Sequence, residues 1–289
     1  MLKYMKYELK GTYKFMLAII LTVLGASTGL QIYAKNLFMS ESSIQPNAIS
    51  VLFITIMGFL IFGAFITALF YIIGSFRKEL YEDRGYLTFS LPLTGNQILG
   101  SKTLIALMWA ALLILFSLLY NFVLAMVLHG GIVFDELIDS FRFLFSLGVN
   151  DIIITIFLAF IFSGISTLLL IYFSIALSRV TIRNKKVGGM WFIIFLILNS
   201  LLAYLTVVSV EVFPFYFDMS NFKIIAESDL AHYMGNNIGY IMSAGSNSGM
   251  VVSSTNGVIL NIGSTLFSIL MTIGIFLGTS YLIERKIDL

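Results

Sequence analysis

The sequence predicts an all-α polytopic membrane protein, with six transmembrane helices preceded by an amphipathic interfacial helix, and three observations carry that prediction. Hydrophobic residues make up 59% of the 289 and charged residues 11%, against about 45–50% and about 25% in soluble globular domains, and mean hydropathy is +0.98. The apolar residues gather into six uncharged runs. The basic residues fall on alternate connections between those runs, as they do when a chain weaves through a bilayer.

The runs are residues 15–34, 48–76, 103–128, 152–178, 187–210 and 258–283, each 20 to 29 residues long and free of Asp, Glu, Lys, Arg and His. A hydrocarbon core of about 30 Å takes roughly 20 helical residues. Barrel strands alternate apolar and polar positions over about ten residues, whereas these runs are apolar on every side, so each is expected as a helix. Before the first run, Leu2, Met5, Leu9 and Met16 recur at helical spacing beside a separate stripe of Lys3, Lys6, Lys10 and Lys14. Residues 1–14 are therefore expected as an interfacial helix rather than a cleaved signal peptide, since Lys35 and Asn36 follow the first run in place of a small-x-small cleavage site.

Of the 17 Lys and Arg, 14 lie in the N-terminus, the second loop, the fourth loop and the C-terminal tail. Only Lys35, Arg142 and Lys223 fall on the other side, which places both termini in the cytoplasm. A net charge of +2 leaves no basic surplus for nucleic acid, and the absence of Cys excludes disulfides and thiolate chemistry. The uncharged spans disfavour an ion-coupled transporter, which needs ionisable groups inside the membrane. Asn121, Asn199 and Asn261 are expected to hydrogen-bond between helices.

Three apparent motifs are set aside. Gly25-Ala26-Ser27-Thr28-Gly29 spells a hydrolase nucleophile elbow but falls in a span with no strand before it. It reads instead as a helix-packing pair, Gly25 and Gly29, matched by Gly274 and Gly278 in the last run. The segment from Gly95 to Lys102 resembles a phosphate loop whose Lys is one position late and which no sheet supports. His129 and His232 stand apart, without ligand spacing. No catalytic, cofactor-binding or metal site is expected in this chain.

The connection after the second run, residues 77–102, is the most informative stretch. Arg77, Lys78, Glu79, Glu82, Asp83 and Arg84 lie among helix formers that Gly85 ends, predicting a short surface helix. Tyr86, Leu87 and Leu91 lead back toward the membrane, Pro92 stops helix continuation, and Thr94 with Gln97 forms a capping box for the third span. Alternatively, the charged stretch is only solvated surface. On the outer side, residues 211–257 exceed what six spans require. Gly245–Gly249 and Ser253–Gly257 read as flexible loop.

With its interfacial N-terminal helix, six spans and the segment GYLTFSLPLTGNQILGSK after the second, the chain resembles the membrane subunit of a type-2 ABC exporter. The resemblance implies one permease domain over residues 1–289 in a bacterial cytoplasmic membrane. It implies a translocation pathway formed with a second permease subunit, identical or different, while ATP and Mg are bound by a separate ABC ATPase subunit. Arg77, Lys78, Glu79, Glu82, Asp83, Arg84 and Tyr86 would then form the coupling helix that docks on the ATPase. Arg179, Arg183, Lys185 and Lys186 either add a second contact or only fix topology. The resemblance also implies short re-entrant or interfacial helices on the outer side, for which Ile224–Met242 is the candidate stretch. The apolar spans favour an amphipathic or hydrophobic cargo. A membrane-embedded enzyme and a non-transporting scaffold or sensor are the alternatives; the first needs Ser, His and acids gathered at one membrane level, and no such set is visible.

Overall fold

The structure, a computed structural model, describes residues 2–39, 48–81, 93–129, 138–140, 142, 150–181, 189–219, 222–226, 228, 241–243, 250–254 and 257–285. The described residues form six long helices: α1 (Leu2–Met39), α2 (Ala48–Tyr81), α3 (Gly95–His129), α4 (Asn150–Thr181), α5 (Met190–Val212) and α6 (Ile262–Arg285). All six are long and apolar enough to cross a membrane. Their exposed faces are crowded with side chains such as Phe59, Leu118, Phe160, Ile197 and Leu270, the surface expected where lipid rather than water is the solvent. The contacts divide the chain into two compact units, residues 1–76 with 104–142, and residues 77–103 with 143–289.

The first unit packs α1 against most of α2 and α3. Met16, Ile19, Ile20 and Val23 form one face of α1 and meet Ala64 and Ala68 of α2 and Ile105, Trp109 and Leu113 of α3. No break separates the first 14 residues from the span, because α1 is one helix of 38 residues, about 57 Å long. Lys3, Lys6, Lys10 and Lys14 are exposed. Of the apolar stripe, Met5 and Leu9 pack on the protein core rather than facing lipid, while Leu2 is exposed. Phe15 stacks on Tyr71 at 4.1 Å, Ser75 donates a hydrogen bond to the Glu8 carboxylate at 2.6 Å, and the Trp109 indole N–H donates to the Thr12 hydroxyl at 3.0 Å. Asn121 acts between helices as expected, accepting from the Gln31 amide at 2.8 Å.

The second unit holds α4, α5, α6 and the last turns of α2 and first turns of α3. Helix α6 buries Ser264, Ser268, Thr279, Ser280 and Ile283, and all but Ile283 are small residues that let helices approach closely where no hydrophobic force drives them together. Ser166 and Thr272 share a hydrogen bond of 2.8 Å between α4 and α6. The glycine pairs behave unequally. Gly29 and Gly278 lie against Met57 and Phe173, whereas nothing comes within 4 Å of where a side chain would start at Gly25 or Gly274.

Between α5 and α6 the described residues form five strands: β1 (Phe215–Asp218), β2 (Lys223–Ala226), β3 (Ile241–Ser243), β4 (Met250–Ser254) and β5 (Gly257–Asn261). The two ends of the stretch expected as a re-entrant helix, residues 224–226 and 241–242, are strand, and residues 227 and 229–240 lie outside the described residues. The strands form one antiparallel sheet in the order β2-β1-β5-β4-β3. Ser253, Ser254 and Gly257, read from sequence as loop, are paired in the β4–β5 ladder, and residues 258–261, read as the start of the last span, are strand. The β-branched content of Val251, Val252, Val258 and Ile259 suits a pleated surface, and tertiary pairing here overrides the loop-like Ser, Thr and Gly composition. Asn261 ends β5 and caps α6, its side-chain oxygen accepting from the Ser264 backbone N–H at 2.8 Å, while its side-chain amide donates to the carbonyl of Phe213 just past α5 at 3.2 Å, tying the two helix ends together.

Candidate functional site

The segment expected to dock on a partner joins α2 to α3, so its placement begins with how those helices end. Residues 77–81 continue α2 without interruption rather than forming a separate surface helix, because Phe76-Arg77-Lys78-Glu79-Leu80-Tyr81 contains no helix breaker. The start of α3 follows the predicted capping box. The Thr94 backbone N–H donates to the Gln97 side-chain oxygen at 3.3 Å, and the Gln97 N–H donates to the Thr94 hydroxyl at 3.4 Å. Glu82, Asp83, Arg84 and Tyr86 lie outside the described residues, as do Arg183, Lys185 and Lys186.

Three ties hold these two helix ends to their surroundings. Lys102 Nζ lies 2.8 Å from Glu79 Oε1, and the two side chains are only 3% and 12% exposed. At that burial the pair is largely withdrawn from water, where an ion pair loses much of its hydration. The Tyr81 hydroxyl donates to Ser178 Oγ of α4 at 3.3 Å. The Gly95 backbone N–H donates to Glu284 Oε1 of α6 at 2.5 Å, which places a carboxylate at the positive end of the α3 dipole. A side chain at position 95 would start 2.8 Å from the Ser280 carbonyl oxygen, so only glycine allows this approach.

Glu79 is therefore turned into the protein and is not part of an outward docking face, a correction to its expected role. Lys78 is exposed and Arg77 half-buried. The guanidinium groups of Arg77 and Arg179 lie over the Tyr81 ring, 5.8 and 5.3 Å from its centre. The structure thus brings together one cation from each of the two basic connections. Cation–π contacts of this length contribute about 0.5–1 kcal/mol where exposed.

Tyr81, Lys102, Ser178 and Glu284 were not expected at this site. Lys102 carried a signal, as a lone cation opening an otherwise uncharged run, and Glu284 stands in the last turn of α6 with no basic neighbour before it. Their partners are 23 and 189 residues away in sequence, so spacing could not reveal them. The phosphate-loop resemblance of residues 95–102 has a physical answer: the helix N-terminus where a phosphate would bind already holds Glu284, and Lys102 faces Glu79. Ser27, in the apparent nucleophile elbow, sits within α1 and donates to the Leu24 carbonyl at 2.9 Å. Among the described residues no three of His, Asp and Glu gather as a metal site.

An ion pair thus joins the end of α2 to the start of α3, a hydroxyl pair ties the first to α4, and a carboxylate ties the second to α6. In comparisons with known proteins, no family model, curated protein or solved structure matches the chain.

Proposed function

We propose that this chain is the membrane-spanning permease subunit of an ATP-driven exporter of the type-2 ABC kind, working as a dimer and moved by separate ATPase subunits. The observation that supports this reading is the clamping of the α2–α3 connection. A connector that only joins two spans does not require ties from both its ends into α4 and α6. A lever does, because a load applied to residues 82–92 then reaches several spans as rigid bodies instead of being lost in side-chain motion. Glu79 and Lys102 supply the internal stiffness, and Lys78 with the charged residues beyond Tyr81 supplies the surface a partner grips.

In this reading the ends bearing Arg77, Arg179 and Arg285 face the cytoplasm, and the sheet lies outside. The exposed stripe of Lys3, Lys6, Lys10 and Lys14 meets the anionic inner leaflet, each charge adding about 1 kcal/mol near such a surface. The test is co-purification from native membranes. An ATP-hydrolysing subunit should accompany the chain, and its hydrolysis rate should change on binding. Uphill transport or substrate turnover by the chain alone in vesicles would overturn the proposal.

A further inference from the structure

The sheet between α5 and α6 carries an apolar surface that folding leaves uncovered. Strand register places Phe217 opposite Ile224, and Phe215 opposite Ala226, on one face of the β1–β2 hairpin. Tyr216 and Ile225 share the other face and are buried. On the uncovered side Phe215 is 50% and Ile224 67% exposed, and Phe222, packed edge-on to Phe217, is 80% exposed. Phe222 is also the described non-glycine residue with positive φ, 52°, a conformation unfavourable for a bulky side chain. Strain combined with exposure of a large aromatic ring has no rationale in water.

The position of the hairpin relative to the spans supplies one. Only Phe213 and Pro214 separate α5 from β1, and none separates β5 from α6. At the far end of β1, Met219 receives a hydrogen bond from the Thr155 hydroxyl at 3.3 Å. Thr155 lies in the second turn of α4, inside its apolar run. Both ends of β1 are thus tied to span termini, so the strand runs across the helix ends and does not rise away from them. Val207 and Val212 at the end of α5, Phe213 in the connection, and Phe215 and Ile224 of the hairpin are all exposed apolar side chains. Lys223 points to the opposite face from Ile224, across the ladder from buried Asp218, and is exposed, so its long side chain leads away from the apolar surface toward the headgroup side.

The geometry points to the β1–β2 hairpin as a lipid anchor: Phe222 and Ile224 seat at the boundary between acyl chains and headgroups of the outer leaflet, and Lys223 meets the phosphates. Lipid contact relieves the exposure of Phe222 and holds the sheet, and through Asn261 the start of α6, at a fixed depth. The inference rests on the membrane-spanning placement of the helices and is independent of the partner ATPase.

Because the chain has no Cys, single-Cys variants carry a nitroxide label without background. The labelled chain is placed in phosphatidylglycerol–phosphatidylethanolamine bilayers, and collisions with oxygen, which concentrates in lipid, are compared with collisions with a water-soluble nickel chelate. Leu118→Cys reports the hydrocarbon and Arg142→Cys the water. At Phe222→Cys and Ile224→Cys oxygen collisions should exceed chelate collisions, at a depth shallower than position 118. Chelate collisions dominating at 222 and 224, while 118 still reads as lipid, would overturn the anchor and leave the spans intact. Low collision rates with both reagents would overturn it in favour of a protein cover, a second copy included. A water-like reading at 118 would overturn the membrane placement itself.

Discussion

The Glu79–Lys102 pair ties the end of α2 to the start of α3. Breaking a buried pair strands one charge at a cost of about 3–5 kcal/mol, whereas replacing both partners with apolar groups is close to neutral. Lys102→Met should therefore lower thermal stability in detergent sharply, and Glu79→Leu combined with Lys102→Met should recover most of it; equal losses in both would show that the pair is not a closed unit. Gly95 offers a second contrast. Gly95→Ala drives a methyl into the Ser280 carbonyl and should destabilise by about 1–3 kcal/mol. Gly274→Ala meets open space in this chain and should be neutral or stabilising by up to about 1 kcal/mol; a marked loss there would place position 274 in an intermolecular contact. The sequence offered Gly25, Gly29, Gly274 and Gly278 as equivalents, and it could not rank them because close approach depends on what stands opposite.

At the scale of elements, α6 depends on how the sheet delivers it. Asn261 caps its first turn and donates from its amide to the Phe213 carbonyl at 3.2 Å, while Gly263 packs against Phe213 and Ser209. Asn261→Ala removes the cap and should cost about 0.5–2 kcal/mol, with Asn261→Asp retaining the cap and losing less, as read by thermal unfolding and by proteolysis in the β5–α6 region. The six helices were legible because twenty apolar residues in a row have few other fates. The sheet was not. Its strands are four or five residues at most, interrupted by Gly, Ser and Asn, and their stabilisation comes from ladders that pair residue 216 with 261 and 251 with 260. The capping box at Thr94 and Gln97 was legible for the opposite reason, since it lies within four residues.

For the whole molecule, the asymmetry of Lys and Arg predicts that positions 78 and 142 label from opposite faces of the membrane; impermeant thiol reagents on single-Cys variants decide it, and same-side labelling would break the six-span topology. Coupling belongs to this scale as well. Reversing Glu79 cannot probe docking, because it destroys the internal pair. Lys78→Glu with Arg84→Glu leaves that pair intact, and should preserve membrane insertion while reducing the stimulation of a partner ATPase about tenfold or more, as expected for truncating or reversing central charges in an interface. Unchanged stimulation would show that this surface is not gripped.

By itself, the sequence determined where the chain crosses the membrane, which connections carry positive charge, and how α3 begins, because each of these is set by the free energy of contiguous residues. Only the tertiary structure decided that Glu79 faces inward, that Glu284 caps α3, that α1 spends much of its apolar stripe on protein, and that paired strands follow α5 and lead into α6. Those outcomes rest on contacts between residues far apart in the chain, where the partner, and not the local composition, determines the energy.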